Sequence, residues 1–403
     1  MLKKNDFFRN FTFDSGVIKK NYKKTKKAFE LLKTDFLNFE IPLLNCYEKD
    51  YIFDFSKKLV NKFSKFENII LIGMGGSILG TKAIHSFFKE KIKKKIFFFD
   101  NLDQNLYLEY KKIKNLKNSC FVVVSKSGNT LEVIANLSVI FSKSLLKKKL
   151  IFITENKNNF LMNIANKYEA DIIEHKEFIG GRYSVLSEVG MFPASIMNLK
   201  IKNFQNLEKL LKNKNFVSCL LHNVTCLHTL EKNNVKTSVF LSYDSKLNDL
   251  CYWYQQLIGE SLGKKGKGFT PIVSLGPKDH HSILQLYLDG PKDKFFTFFN
   301  FENTKGQFKI KKNIISDEMK FLKNKNIKNL VKSQMNATKN VFKLKKIPFR
   351  QINFKKNNEE ELGTVFTFFV LETILLSSLM DVNPYDQPSV ELVKNETRKI
   401  LLR

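Results

Sequence analysis

Disulfide bonds are the first device this sequence lacks. Its five cysteines, Cys46, Cys120, Cys219, Cys226 and Cys251, are odd in number, scattered and never spaced as CxxC. That excludes a disulfide framework and a thiolate zinc site, and it fits a reducing compartment, so a cytoplasmic location is expected. An apolar leader is also missing, since "MLKKNDFFRNFTFD" is basic and aromatic with no h-region or small-residue cleavage site. The best membrane candidate, "LGTVFTFFVLETILLSSLM" at 362–380, has Glu372 in its middle. A carboxylate is costly there in lipid, so a helix buried in protein is expected, with no membrane partner. Carboxylates are scarce, 39 against 68 Lys plus Arg, which leaves a net charge of +29. The lysines are strewn among Phe and Asn, as A/T-rich coding favours, and no recognised nucleic-acid motif gathers them. No nucleic-acid partner is expected, but a general positive field suits a doubly charged small phosphate.

What is present is regular α/β alternation along 403 residues, enough for two domains. Strand-like runs at 68–73, 95–100, 120–124, 150–154 and 171–175 are separated by helical patterns, and a second series follows at 237–243, 271–276, 294–301 and 347–354. Such spacing predicts mostly parallel sheets flanked by helices. The expected division is a helical segment over 1–60, α/β domains over 61–200 and 201–380, and a helical extension over 381–403. No direct sequence repeat links the two domains. A Lys/Asn-rich stretch near 303–328 reads as a solvated linker or insertion.

The polar motifs fall at the ends of these strands. "VVVSKSGNT" (122–130) runs a buried strand into Ser125, Lys126, Ser127, Gly128 and Thr130, and then into a helix with Leu131, Ile134, Ala135, Leu137, Val139 and Ile140 as its apolar stripe. A small-residue loop opening a helix aims backbone N–H groups, hydroxyls and the helix dipole at one point, which suits a phosphate. "IGMGGSILG" (72–80) is a second tight turn, with Gly76 and Ser77, in the same domain. It lacks the full GxGxxG spacing and a Walker lysine, so it is weak evidence for a nucleotide. Both loops belong at the carboxyl edge of one sheet, where such folds bind ligands. Arg182 in "GGRYS" stands where it can clamp an oxyanion; alone it reads equally as a surface ion pair. Gln256 and Glu260, four apart, share a helix face, and Glu260 falls in the last turn, an unfavourable end for a carboxylate and a suitable one for a base. From spacing alone Glu260 also reads as an exposed glutamate beside Lys264 and Lys265. The adjacent His280 and His281 have no further metal ligands nearby, and acid–base use of one is better supported. Gln387 and Lys394 lie seven apart, so Lys394 reaches the same cleft if Pro388 opens a helix; otherwise it is an exposed lysine.

Taken together these pieces resemble the glucose-6-phosphate isomerase (phosphoglucose isomerase) family in its compact bacterial form. G-x-G-G-S, S-K-[ST]-x-x-T, G-G-R-[YF]-S, Q-x-x-x-E-S-x-G-K, H-x-x-x-Q-L and D-Q-x-x-V-E-x-x-K occur in the family's order from 73 to 394. The resemblance implies two sugar-isomerase-type (SIS) α/β domains with helical N- and C-terminal segments. It implies reversible isomerisation of glucose 6-phosphate and fructose 6-phosphate in glycolysis and gluconeogenesis, through ring opening and a cis-enediolate. Glu260 matches the base, Arg182 the group beside the enediolate oxygen, and His281 and Lys394 the ring-opening residues. Ser77, Gly76, Ser125, Lys126, Ser127, Thr130, Gln256 and Gln387 match the substrate-binding positions. No metal or cofactor is implied. In the family the histidine enters from a partner subunit, which implies a homodimer.

Departures from the family pattern are Leu262 in place of Asn, and "GPKDHH" before the histidine, in which His280 does not align. Two rival readings are an enzyme that also takes mannose 6-phosphate and a sugar-phosphate sensor without catalysis. The sensor would need SKSGNT but not Glu260, His281 and Lys394 together. A third, a nucleic-acid-binding protein, rests on charge alone.

Overall fold

Runs of β-branched and aromatic residues without polar alternation become strands covered on both faces. In the computed structural model, which describes residues 2–113, 115–140, 149–302 and 308–403, they form two wholly parallel sheets. The first contains β1 (Asn68–Gly73), β2 (Lys95–Phe99), β3 (Ser119–Val124), β4 (Leu150–Thr154) and β5 (Asp171–Glu174), in the order β2-β1-β3-β4-β5. The second contains β6 (Thr237–Ser242), β7 (Thr270–Leu275), β8 (Lys294–Phe301) and β9 (Phe349–Phe354), in the order β7-β6-β8-β9. The second sheet thus repeats the order of the first four strands, a kinship of topology that the sequence does not display.

Alternate residues of each strand serve different cores. Ile69, Leu71, Val122, Val124, Ile151 and Ile153 point into one large cluster shared with the second sheet's Phe240, Phe299 and Ile352. Their neighbours Ile70, Ile72, Phe121, Val123 and Phe152 meet the outer helices of the first sheet. The helix Asn248–Leu262 packs between the sheets, against Leu79–Phe87.

The run containing Glu372 becomes the helix Glu359–Met380, capped by Asn358, whose side chain accepts from the Glu361 N–H. Its three leading glutamates suit the positive end of the helix dipole. The helix is long and apolar enough to cross a membrane, yet 83% of its apolar window is buried inside the protein. Glu372 is wholly buried and bonded to Arg350, Tyr254 and Asn223.

One expectation needs correcting. In the helix Leu131–Ile140 the inward face is Val133, Asn136, Leu137 and Ile140, whereas Leu131 and Val139 are exposed. Asn136 is tolerated inside because it accepts from the Tyr107 hydroxyl at 2.7 Å and donates to the Asn101 carbonyl at 3.2 Å. The expected continuation of that helix over 141–145, and residues 303–307 of the Lys/Asn-rich stretch, lie outside the described residues.

Candidate active site

β1 and β3 are neighbours in register, with Gly73 opposite Val124, so the glycine loop and SKSGNT leave the same sheet edge side by side. Their connections diverge there, at the switch point where open parallel sheets form a ligand crevice. In the SKSGNT loop the Ser125 and Thr130 hydroxyls lie 2.8 Å apart, and the exposed Ser127 hydroxyl accepts from the Asn129 N–H. Lys126 is drawn down, its Nζ donating to the Glu177 carbonyl at 2.6 Å, with Glu155 3.7 Å away. Burial lowers the pKa of Lys126, and the nearby Glu155 and Glu177 oppose that shift. Gly128 takes φ +67°, and a Cβ there would fall 1.9 Å from Asn159 Oδ1, so only glycine fits under the Asn159 cap.

The other loop is pressed between two segments distant in sequence. A Cβ on Gly76 would lie 2.1 Å from the carbonyl carbon of Gly181, and one on Gly75 would lie 2.8 Å from Gln256 Nε2. The Gly75–Ser77 turn therefore touches both the GGRYS turn and the helix Asn248–Leu262, placing Ser77, Arg182, Gln256 and Glu260 around one crevice.

Arg182 organises that crevice. It is 2% exposed, so the surface ion pair is ruled out. Its Nε donates to Ser261 Oγ at 2.8 Å, and its Nη1 donates to Gln387 Oε1 at 2.7 Å and Glu260 Oε2 at 3.1 Å. Its Nη2 donates to the Pro384 carbonyl and, at 3.0 Å, to the Asp386 carbonyl. A rigid fork spent in this way fixes three segments relative to one another. Glu260 occupies the last turn of its helix, as its spacing suggested. Its second oxygen accepts from Gln256 Nε2 at 2.9 Å, and its side chain keeps 34% exposure. The Gln256 Oε1 is buried without a partner among the described residues. The pair is thus a held carboxylate with an open face.

Sequence reasoning passed over the residues that hold this frame. Tyr183 bonds to Ser261 Oγ at 2.9 Å and donates to the Pro384 carbonyl at 3.0 Å. Lys264, read as part of Glu260's basic surroundings, instead donates to the Asn383 carbonyl at 2.6 Å and pairs with Asp386 at 3.3 Å. Lys265 and Lys267 donate to the carbonyls of Asp381 and Met380, where cations suit the end of the 359–380 helix. The signal was the compact "SLGKKGKG" at the end of the helix: its three lysines in four positions each donate to a backbone carbonyl.

The phosphoglucose isomerase family model matches residues 55–277, more than half of the chain, including both loops, Arg182, Gln256 and Glu260. The chain belongs to the phosphoglucose isomerase family. It is 33% identical over 391 residues to glucose-6-phosphate isomerase of Methanocaldococcus jannaschii, spanning 93% of this chain and 94% of that protein. Its fold is similar to a hypothetical protein of Thermus thermophilus, with TM-score 0.82 at 24% identity over 100% of this chain and 99% of the other. A glucose-6-phosphate isomerase of Chlamydia trachomatis shares the fold with TM-score 0.78 at 17% identity, covering 98% and 87% of the two chains. At these identities the two structures speak for the fold alone.

Two residues that the family resemblance singled out stand apart from the crevice. His281 is exposed, at the end of the Lys278–His281 turn that follows the edge strand β7. Pro388 does open a helix, Pro388–Leu401, but that helix buries none of its residues, and Lys394 points out to pair with Glu391 at 2.6 Å. Within one chain, then, Lys394 does not reach the crevice as its spacing suggested. The helix leaves the body instead of lying along it. Val390, Leu392, Val393, Ile400 and Leu401 are all exposed on it.

Proposed function

We propose that this chain interconverts glucose 6-phosphate and fructose 6-phosphate, with Glu260 carrying the proton. The observation that supports this most strongly is the Arg182–Glu260–Gln256 arrangement, a carboxylate held by two donors yet open on one face, beside a loop suited to phosphate. In the open-chain sugar, Glu260 takes the C2 proton and the electron pair moves into a cis-enediolate. Returning the proton to C1, while the O2 hydroxyl proton passes to O1, completes the shift, so one carboxylate serves as base and then acid. Arg182 stabilises the charge that develops on the oxygen between. Ser125, Lys126, Ser127 and Thr130 hold the phosphate, with Ser77 and Gly76 from the neighbouring loop and Gln256 and Gln387 on the sugar side. The electrons stay within the substrate, so the proposed reaction calls for no redox cofactor.

His281 and Lys394 are assigned to ring opening through their motifs. The exposure of both within one chain, and the exposed apolar residues of the 388–401 helix, favour a homodimer in which His281 enters the partner's crevice. Residues 61–200 then anchor the phosphate, 201–380 carry base and histidine, and 381–403 form the C-terminal helical extension. We place the enzyme in the cytoplasm.

The test is conversion of fructose 6-phosphate in a coupled assay containing EDTA, wild type beside Glu260→Gln. EDTA-resistant turnover that falls by about 10²–10⁴-fold in the variant is expected for loss of a general base. A folded wild type that binds the sugar phosphate without turnover would leave a sensor in place of an enzyme.

A further inference from the structure

His280, the histidine that matches no family position, is anchored where His281 is free. The two follow each other on the Lys278–His281 turn, but His280 is half-buried and His281 exposed. The His280 Nε2 lies 2.6 Å from the Tyr243 hydroxyl and 3.3 Å from Thr338 Oγ1. Tyr243 directly follows β6, is buried, and stacks on Phe298 of β8. Thr338 is buried on the helix Ile327–Leu344 and donates to the Gln334 carbonyl at 2.9 Å. A chain of donors is satisfied throughout when His280 Nε2–H donates to Tyr243, Tyr243 to Thr338, and Thr338 to Gln334. Burial pushes the Tyr243 hydroxyl up to about 12, so it stays protonated and keeps its place in that chain.

The rest of the turn is fastened to the edge strand. Asp279 Oδ2 accepts from Ser274 Oγ at 2.9 Å and from the Leu275 N–H at 2.7 Å. Gly276 lies so close to the Tyr243 ring that a Cβ there would come within 2.6 Å of it. The turn therefore has two moorings, Asp279 on β7 and His280 on the interior of the second sheet. The next side chain, His281, projects outward.

We propose that His280 is a positioning residue, which sets the direction of His281 by tying the turn to Tyr243 and Thr338. The proposal rests on the isomerase reading and on His281 as the ring-opening group. Ring opening breaks the C1–O5 bond of glucose 6-phosphate or the C2–O5 bond of fructose 6-phosphate, with one proton delivered to O5 and one removed from the anomeric hydroxyl. A group that passes these protons has to be placed within hydrogen-bond reach, and a misplacement of about 1 Å can cost on the order of a hundredfold. The enediolate step at Glu260 does not involve this turn, so the two steps are separable.

The experiment compares a ring-forming and a ring-free substrate. Turnover of fructose 6-phosphate gives kcat and KM. Exchange of the C2 proton of an aldotetrose 4-phosphate into D2O, followed by NMR, reads the Glu260 step with no ring to open. His280→Leu and Tyr243→Phe are expected to lose about 10–100-fold in kcat on fructose 6-phosphate, with KM and tetrose exchange within about twofold of wild type. His280→Gln, whose amide can donate where Nε2–H does, should recover most of the loss. Equal loss on both substrates would reduce His280 to a structural role and overturn the proposal. So would wild-type kcat in both His280→Leu and Tyr243→Phe while His281→Leu is impaired. Full turnover by His281→Leu overturns the assignment of His281 and this proposal with it. Exchange and turnover that both survive Glu260→Gln reject the isomerase mechanism instead.

Discussion

The helix Asn248–Leu262 serves two arginine–glutamate pairs, one on each of two faces, and their difference separates stability from chemistry. Tyr254 joins the interior pair, Arg350 with Glu372, and both charged side chains are 0% exposed. Glu372 is shared among Arg350, Tyr254 and Asn223, and Arg350 Nε donates to Thr297 Oγ1 at 2.9 Å. Six residues along the helix, Glu260 meets Arg182, whose Nε donates to Ser261 Oγ at 2.8 Å. The two arginines are anchored almost identically. The carboxylates are not: Glu260 keeps 34% of its side chain open, with one donor on each oxygen. A buried pair saturated on every side has no room to move a proton. An equally well-held pair with one open face has both the order and the access.

The same near-isosteric change at each glutamate should break this symmetry most sharply. Glu260→Gln is expected to lower kcat by about 10²–10⁴-fold with little change in melting temperature. Glu372→Gln is expected to act on stability, because it strands the Arg350 charge in the interior, at about 3–5 kcal/mol in a urea titration. Replacing Arg350 and Glu372 together with Met and Leu should recover much of that loss, since an apolar pair of similar volume avoids the unpaired charge. If Glu260→Gln proved the more destabilising of the two, the division between the pairs would be wrong.

A smaller effect tests a buried group below the phosphate loop. Burial holds His175, 1% exposed, down at about 4, against an ordinary value near 6.5. The unfolded chain therefore takes up a proton between pH 6.5 and 4 that the folded chain refuses. Stability should fall as the pH drops through that window, by about 3 kcal/mol in all, and His175→Asn should flatten that part of the curve.

Strand placement was legible in the sequence because the nine apolar runs have strand length and are punctuated by Gly, Ser, Asn and Lys. The order of strands was not, since pairing between distant segments leaves no mark in local composition. SKSGNT and Glu260 were legible for the same local reason, a strand-to-helix turn and a helix-terminal carboxylate. Arg182's true setting was hidden, because its partners at 261, 384, 386 and 387 come from two segments distant in sequence. The roles of Lys264, Lys265 and Lys267 were hidden for a related reason: nothing local says that the end of another helix lies above them. The exposed positions of His281 and Lys394 fall in the same class, being features of tertiary placement.

The finest division between the two pairs lies in the hydroxyls behind the arginines. Ser261→Ala and Thr297→Val each remove one acceptor from a buried guanidinium, and each should cost about 1–3 kcal/mol of stability. Their effects on catalysis should differ. Arg350 has no route to the crevice, so Thr297→Val should leave kcat and KM near wild type. Ser261 also joins Tyr183 to the frame, so its loss frees Arg182 to rotate against Glu260 and Gln387. About a tenfold fall in kcat with unchanged KM is expected, because an oxyanion partner displaced by a fraction of an ångström weakens the transition state more than the bound sugar. Equal kcat in the two variants would mean that Arg182 is held well enough by its carbonyl contacts alone, and that Ser261 belongs with Thr297 as a stabilising acceptor.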